Sequence, residues 1–213
     1  DVYVFQRRFE YGIPTAILKL RQRGKAVVVE TDDLYDDLPT SSPGWKVLRD
    51  HPNRISVDVL NVSMRCADAV TVSTDALAEH YSRFQPNIRV LPNYLDWPMW
   101  ADVEQQSEVE RPRIRVGWMG WLAWRDHDLD VLQEVLPGLL ARHRDVEFVS
   151  VGEPRGAAAF KPGHVSVHKH LGIPKAQQRT VHGVPYRRLA EIVPTIDIGL
   201  VPLARTQFNE CKS

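Results

Sequence analysis

The stretch ETDDLYDD places Asp32, Asp33, Asp36 and Asp37 directly after the β-branched run KAVVVE. Clustered carboxylates can hold a divalent cation through oxygen or move protons as general acids and bases. They can equally form a solvated helix cap, and spacing alone leaves both readings open. A second stretch, RVGWMGWLAWRD, carries Gly117 and Gly120 at the end of an apolar run, then Trp121, Trp124 and Arg125. G-x-x-G is neither the dinucleotide fingerprint nor a Walker loop. Glycine removes side-chain bulk there, and a helix starting near Asp126 to Asp128 would turn its free N–H groups toward an anion, with Arg125 beside them. Arg125 as a solvated side chain is the alternative, and Trp118, Trp121 and Trp124 equally suit a core or an interface. HVSVHKH reads as an alternating edge strand with His168 and His170 on one solvent-facing side, because no further ligand stands at zinc spacing. FNECKS offers Lys212 and Ser213, and a lysine after a strand and loop could hold a phosphate.

The elements that must position these residues alternate. DVYVF, KAVVVE, AVTVS and IRVL are strand-like, and the β-branched run of the second marks a strand covered on both faces. Between them, residues 13–20 have helical spacing with Gly24 as a stop. Residues 54–66 place Ile55, Val59, Val62 and Cys66 on one helical face. Thr74 or Asp75 caps a helix carrying Leu77, Tyr81 and Phe84. This is the βαβαβ rhythm of a parallel sheet with right-handed crossovers. The rhythm stops in PNYLDWPMWADVEQQSEVERPR, which predicts a domain boundary near residues 93–112; a long loop within one domain is the alternative. It restarts in RIRVGWMG, in a helix with Leu129, Leu132, Leu136 and Leu139 on one stripe kinked at Pro137, in VEFVSVG ending at Gly152, in the helix PYRRLAEIV and in the buried strand DIGLVPL. The expected class is α/β, with two Rossmann-like halves spanning residues 1–97 and 112–213. In open parallel sheets ligands sit at the carboxyl ends of strands, which directs attention to the loops after Glu30, Ser73, Met119, Gly152 and Leu203.

Composition limits the partners. Lys plus Arg and Asp plus Glu balance at 27 each, which argues against a general nucleic-acid or anionic-membrane binder. Two distant cysteines make no disulfide scaffold and suit a reducing cytosol. No apolar run approaches the ~20 residues of a membrane span. The first residue is not Met and the last residues fall in mid-pattern, so we expect a piece of a longer protein whose halves are both incomplete.

Five stretches together resemble GT-B fold glycosyltransferases, close to glycosyltransferase family 4: ADAVTVSTDALAEHY, RVLPNYLD with Tyr94 where glycine is usual, RIRVGWMGW, VHGVPYRRLAEIVPTIDIGLVPL, and FNECKS. The likeness covers most of the chain, and the last two stretches are the more specific. It implies two α/β domains facing a cleft, the second binding a nucleotide-sugar as co-substrate, with no cofactor and no metal. It implies transfer of a sugar from a nucleotide-diphosphate sugar to an acceptor of unreadable class, with retention, in the cytoplasm, a peripheral place at a membrane being left open. By the resemblance, Gly120, Trp121, Arg125, Gly152, Pro185, Tyr186, Pro202, Lys212 and Ser213 would bind the donor. Asp32 and Asp33 would act on the acceptor side. The family's basic pair for the diphosphate is matched only in part: GWLAWRD offers Arg125 as substitute, and Lys212 is the candidate second cation. The acids are adjacent pairs, so the D-x-D of metal-dependent sugar transferases is not met. The family's sugar-contacting glutamate would lie beyond Ser213 and its first strand before Asp1, so this piece alone is expected to be inactive or severely impaired. Two rivals remain: a Rossmann oxidoreductase or nucleotide-sugar epimerase, for which the dinucleotide fingerprint is missing, and a catalytically inactive binding or structural protein on the same fold.

Overall fold

The computed structural model describes residues 1–40, 42, 44–45, 48, 56–101, 103, 111–122, 126–154 and 165–212. The chain divides into two compact units: Asp1–Tyr94 with Arg205–Ser213, and Leu95–Ala204. Each is built on a four-stranded, wholly parallel sheet.

In unit 1 the order is β1 (Val2–Gln6), β2 (Ala26–Thr31), β3 (Ala69–Val72), β4 (Ile88–Val90), and chain order is also spatial order. Parallel neighbours need crossovers. Here they are α1 (Ile13–Gln22), α2 (Val57–Cys66) and α3 (Asp75–Tyr81). Gly24, at φ 69°, makes the left-handed turn after α1. Thr74 caps α3 by accepting from the Leu77 N–H at 3.3 Å. β2 and β3 bury Val27, Val29, Val70 and Val72 against Ile17, Leu60, Met64, Leu77 and Tyr81. On α2 the buried face is Val57, Val59, Leu60 and Met64, while Val62 is exposed; Ile55 lies outside the described residues. The buried face is thus centred on Leu60 and Met64 rather than on Val62 and Cys66, and the helix is capped by Ser56.

In unit 2, which opens with the short helix α4 (Trp97–Trp100), the strand order is β7 (Gln178–His182), β6 (Val146–Glu153), β5 (Ile114–Met119), β8 (Ile198–Gly199). The predicted leucine-striped helix is two helices, α5 (Asp126–Gln133) and α6 (Leu136–Arg142), because Pro137 lacks the N–H an unbroken helix would use and instead sits in the first turn of α6. Three expectations fail. HVSVHKH is no edge strand: Val167–His170 form a helical turn capped by Ser166, whose hydroxyl accepts from the Lys169 N–H. His168 is only 4% exposed, so the pair does not face solvent together. DIGLVPL is not a buried strand: β8 is two residues long at the sheet edge, pairing with β5 at Val116 and Gly117, and Val201 beyond it is 84% exposed. β6 does not stop at Gly152; a bulge there, at φ 106°, carries it to Glu153.

The segment after unit 2, read from sequence as its continuation, packs on unit 1. Phe208 and Cys211 are buried in the unit 1 core, and the Cys211 carbonyl accepts from the Thr74 hydroxyl at 2.9 Å. The signal in FNECKS was an amphipathic spacing of Phe208 and Cys211, which says that a core is covered but not which one.

Candidate functional site

Parallel packing gathers the carboxyl ends of β1, β2 and β3 on one rim of unit 1. The loop after β2 is fixed from beneath. The Tyr81 hydroxyl accepts from the Tyr35 N–H at 3.1 Å and donates to the Asp33 carbonyl at 3.2 Å, and the Ser73 hydroxyl donates to the Asp32 carbonyl at 3.3 Å. With their backbones so held, both acidic side chains stand beside cations. The Lys212 ammonium donates to Asp33 Oδ1 at 2.6 Å and lies over the Phe208 ring at 4.1 Å. An Arg7 guanidinium nitrogen is 3.6 Å from Asp32 Oδ1, beyond hydrogen-bond distance, and that buried oxygen has no hydrogen-bond partner. Asp32 beside it holds the Arg7 guanidinium above its ordinary pKa. Burial, reinforced by the negative Asp33 and Asp32, pushes the Tyr35 phenol up to about 12, so it remains a hydrogen-bond donor. Arg7 occupies a left-handed backbone conformation, φ 48°, that non-glycine residues rarely adopt. Sequence reasoning passed over it; the basic pair Arg7–Arg8 directly after the first strand was the available signal.

The second pair of carboxylates does something else. Asp36 accepts from Asn61 at 2.8 Å, His80 at 2.9 Å and Arg83 at 2.8 Å. Burial alone would raise its pKa, but these donors hold it below the ordinary carboxylate value. Asp36 therefore pins the loop to α2 and α3.

In unit 2 the ends of β5, β6 and β7 meet through glycines. The Gly120 N–H donates to the Val151 carbonyl at 2.9 Å and the Gly183 N–H to the Glu153 carbonyl at 3.1 Å. A Cβ on Gly152 would lie 2.5 Å from the Gly120 carbonyl oxygen, and one on Gly120 would lie 2.6 Å from the buried Trp118 indole. Close packing thus requires both glycines, against backbone at Gly152 and against a buried side chain at Gly120, and leaves bare peptide at these strand ends. Around it Trp121 is 46% and Tyr186 55% exposed, Tyr186 opening a short 3-10 turn after Pro185. Pro202 follows β8, and the next loop is held where the Ala204 N–H donates at 2.9 Å to Asp128 Oδ1. Asp128 is buried in the first turn of α5, so the helix terminus expected to face an anion already carries a carboxylate of its own. Arg125, Trp124 and Ser213 lie outside the described residues.

The structure therefore brings Asp32, Asp33 and Lys212 together in unit 1, and Gly120, Trp121, Gly152, Pro185, Tyr186 and Pro202 onto strand ends of unit 2. Among the described residues no group of three His, Cys, Asp or Glu side chains is placed to hold a metal ion, and no helix is long and apolar enough to cross a membrane.

Two wholly parallel α/β units joined in one chain, with polar and glycine-rich strand ends, define the GT-B class of fold. No protein-family model matches the chain, and no curated protein does. Solved structures do. An α,α-trehalose-phosphate synthase (UDP-forming) from Burkholderia xenovorans, in complex with glucose-6-phosphate, is similar with a TM-score of 0.60 at 14% identity, over 95% of this chain and 52% of that one. The α,α-trehalose 6-phosphate synthase of Burkholderia multivorans gives 0.59 at 12%, over 95% and 50%. An E. coli trehalose-6-phosphate structure bound with UDP-2-fluoro glucose gives 0.57 at 11%, over 100% and 56%. The chain spans about half the length of the solved structures it matches. At such identities the likeness is one of fold.

Proposed function

We propose that the protein is a glycosyltransferase that takes a sugar from a nucleotide-diphosphate sugar, and that it works with retention and without a metal. One observation carries the reading. The rim of unit 2 is stripped to backbone at Gly120 and Gly152, beside the exposed rings of Trp121 and Tyr186, at the strand ends where α/β sheets take nucleotides. The known structures of the same fold include one bound to a uridine diphosphate sugar analogue. The resemblance to glycosyltransferase family 4 supports the same reading from the side of sequence.

In this reading Gly120, Trp121, Gly152, Pro185, Tyr186 and Pro202 of unit 2 receive the donor, and Arg125 is the cation proposed to join them. As the bond from the anomeric carbon to the diphosphate oxygen breaks, the nucleoside diphosphate leaves with the electron pair, and fixed cationic and N–H donors stabilise that charge. The acceptor hydroxyl oxygen forms the new bond to the anomeric carbon. Its proton passes to a carboxylate, for which Asp32, its side chain one-third exposed, is the candidate. Asp33 orients Lys212, whose ammonium uses one of three N–H donors on that carboxylate and keeps two.

The test is thermal unfolding of the chain against UDP, GDP and ADP, with NAD as control and with and without EDTA. A ligand at 100 times its dissociation constant adds about 2.7 kcal/mol. We expect one diphosphate to raise the midpoint by several degrees, EDTA to leave the shift intact, and Gly152→Val to abolish it. A shift with NAD alone would turn the reading toward a dinucleotide enzyme.

A further inference from the structure

The helical turn Val167–His170 is fastened to the sheet of unit 2 by two buried side chains. At the bulged end of β6 the Glu153 carboxylate accepts from the Val167 N–H at 2.7 Å. One residue further, the His168 ring reaches across two strands. Its Nε2 lies 3.1 Å from Ser150 Oγ on β6, and 3.1 Å from both the Arg179 carbonyl and Thr180 Oγ1 on β7. The ring stands edge-on to Phe148, 5.8 Å between centroids. The Glu153 carbonyl in turn accepts from the Gly183 N–H at 3.1 Å and lies 3.3 Å from His182 Nδ1. Turn, bulge and glycine rim are thus joined through Glu153, next to Gly152.

This packing has no place for a second ring proton. His168 Nδ1 is buried and without a hydrogen-bond partner. A neutral ring leaves only a lone pair there. A protonated ring would place a cation and an unpaired N–H in the core, and both are costly. The groups that meet Nε2 are uncharged, and Leu129 of α5 and Leu136 and Leu140 of α6, in the same cluster as Val167, are apolar. The charged and titratable residues around the turn are few. They are Glu153 on β6, Arg179 and His182 on β7, Asp130 of α5 at 3.0 Å from His170, and Lys169 and His170 of the turn itself. Burial keeps the His168 ring below its ordinary 6.5, and the Arg179 carbonyl and Glu153 oppose this only in part. Out of the core, the ring regains its ordinary proton affinity. The closed turn therefore excludes a proton that the open turn accepts, and falling pH draws the turn open.

We propose that Val167–His170 is an acid-operated latch on the strand-end rim of unit 2. While neutral, His168 holds the turn shut. A proton on Nδ1 lets the turn leave β6 and β7, which releases Glu153 and with it the bulge at Gly152 and the contact to Gly183. Between pH 7.5 and 5.5 the open fraction rises about tenfold, a ratio set by the ordinary ring value of 6.5. The latch belongs to unit 2 alone. Its regulatory sense, that an occupied rim resists acid, rests on the donor reading. A rare open form barely changes an affinity, so the coupling is read from the opening itself rather than from a dissociation constant.

The experiment is amide hydrogen exchange by NMR on the chain at pH 7.5, 6.5 and 5.5, corrected for intrinsic exchange, with the His168 ring carbon shift followed in the same samples. It is repeated on His168→Gln, which keeps an N–H but takes up no proton, and on Glu153→Gln, which keeps an acceptor for Val167. We expect the Val167 and Gly183 amides to share one opening that is less protected and less urea-sensitive than that of the β5 amides. Their opening should be about tenfold more frequent at pH 5.5 than at 7.5. His168→Gln should abolish that response and Glu153→Gln should leave it. Protection equal to that of β5, a response that survives His168→Gln, or one lost in Glu153→Gln overturns the proposal. Should His168→Gln not fold, a wild-type ring that charges near pH 6.5 with the turn still protected overturns it instead. The same exchange is then measured with UDP, GDP and ADP in excess. A nucleotide that slows Val167 and Gly183 couples the latch to the donor rim, and one that binds without slowing them overturns that coupling. If none binds and the acid response persists, the donor reading falls and the latch stands.

Discussion

Gly152 shows how a single residue can be read two ways and decided by geometry. At φ 106° an L side chain is strained, and its Cβ would stand 2.5 Å from the Gly120 carbonyl oxygen, which is backbone and cannot swing aside. Gly152→Ala should therefore destabilise unit 2 by about 1–3 kcal/mol, the usual cost of forcing extra volume into a packed site; urea unfolding measures it. Tyr81→Phe removes the hydroxyl that accepts from the Tyr35 N–H and donates to the Asp33 carbonyl. Leaving buried backbone groups unpaired should cost about 1–3 kcal/mol, and hydrogen exchange at Tyr35 should accelerate. His168 supplies a pH dependence. Its Nε2 faces the Arg179 carbonyl at 3.1 Å, which can only accept, so Nε2 carries the proton of a neutral ring; burial lowers the pKa from its ordinary 6.5. Below about pH 6.5 the unfolded chain takes up a proton that the folded ring resists, so unit 2 should lose stability as pH falls through that value, and His168→Gln should flatten the profile. A midpoint independent of pH between 7 and 5.5 would contradict the buried placement.

At the scale of elements, the caps and breaks are local events that sequence spells out. Thr74 is more than a cap, because the oxygen that accepts from the Leu77 N–H also donates to the Cys211 carbonyl, tying α3 to the returning segment. Thr74→Ala should cost about 0.5–2 kcal/mol through the cap alone. It should also make residues 205–212 more sensitive to limited proteolysis, an effect absent from Thr206→Ala if that cap acts only on its own helical turn. The misread elements are equally instructive. HVSVHKH alternates as a strand does, yet Ser166 offers an N-cap and the segment turns helical, letting His168 donate into β7 rather than lie beside it. DIGLVPL has the composition of a central strand but, among the described residues, pairs with β5 alone, at the sheet edge.

At the scale of the whole molecule, the chain leaves unit 2 at Ala204 and spends its last described residues on unit 1. Phe208 is 8% exposed in the unit 1 core, so Phe208→Ala should weaken unit 1 by about 3–5 kcal/mol while leaving the unit 2 transition where it was. Differential scanning calorimetry separates the two, and equal loss in both would mean that the segment belongs to neither unit in particular. The sequence by itself determined what depends on near neighbours: strands from β-branched runs, helices from spacing and caps, and from their alternation the two parallel α/β units, because parallel strands need crossovers. It also located Asp32, Asp33, Gly120 and Gly152, since strand ends are where such residues can face a ligand. Only the tertiary structure decided which of them meet. Lys212 and Asp33 are 179 positions apart, and Arg7 approaches Asp32 only because β1 and β2 pair in one particular register. Contacts across such separations are set by packing, so no local pattern in the chain encodes them.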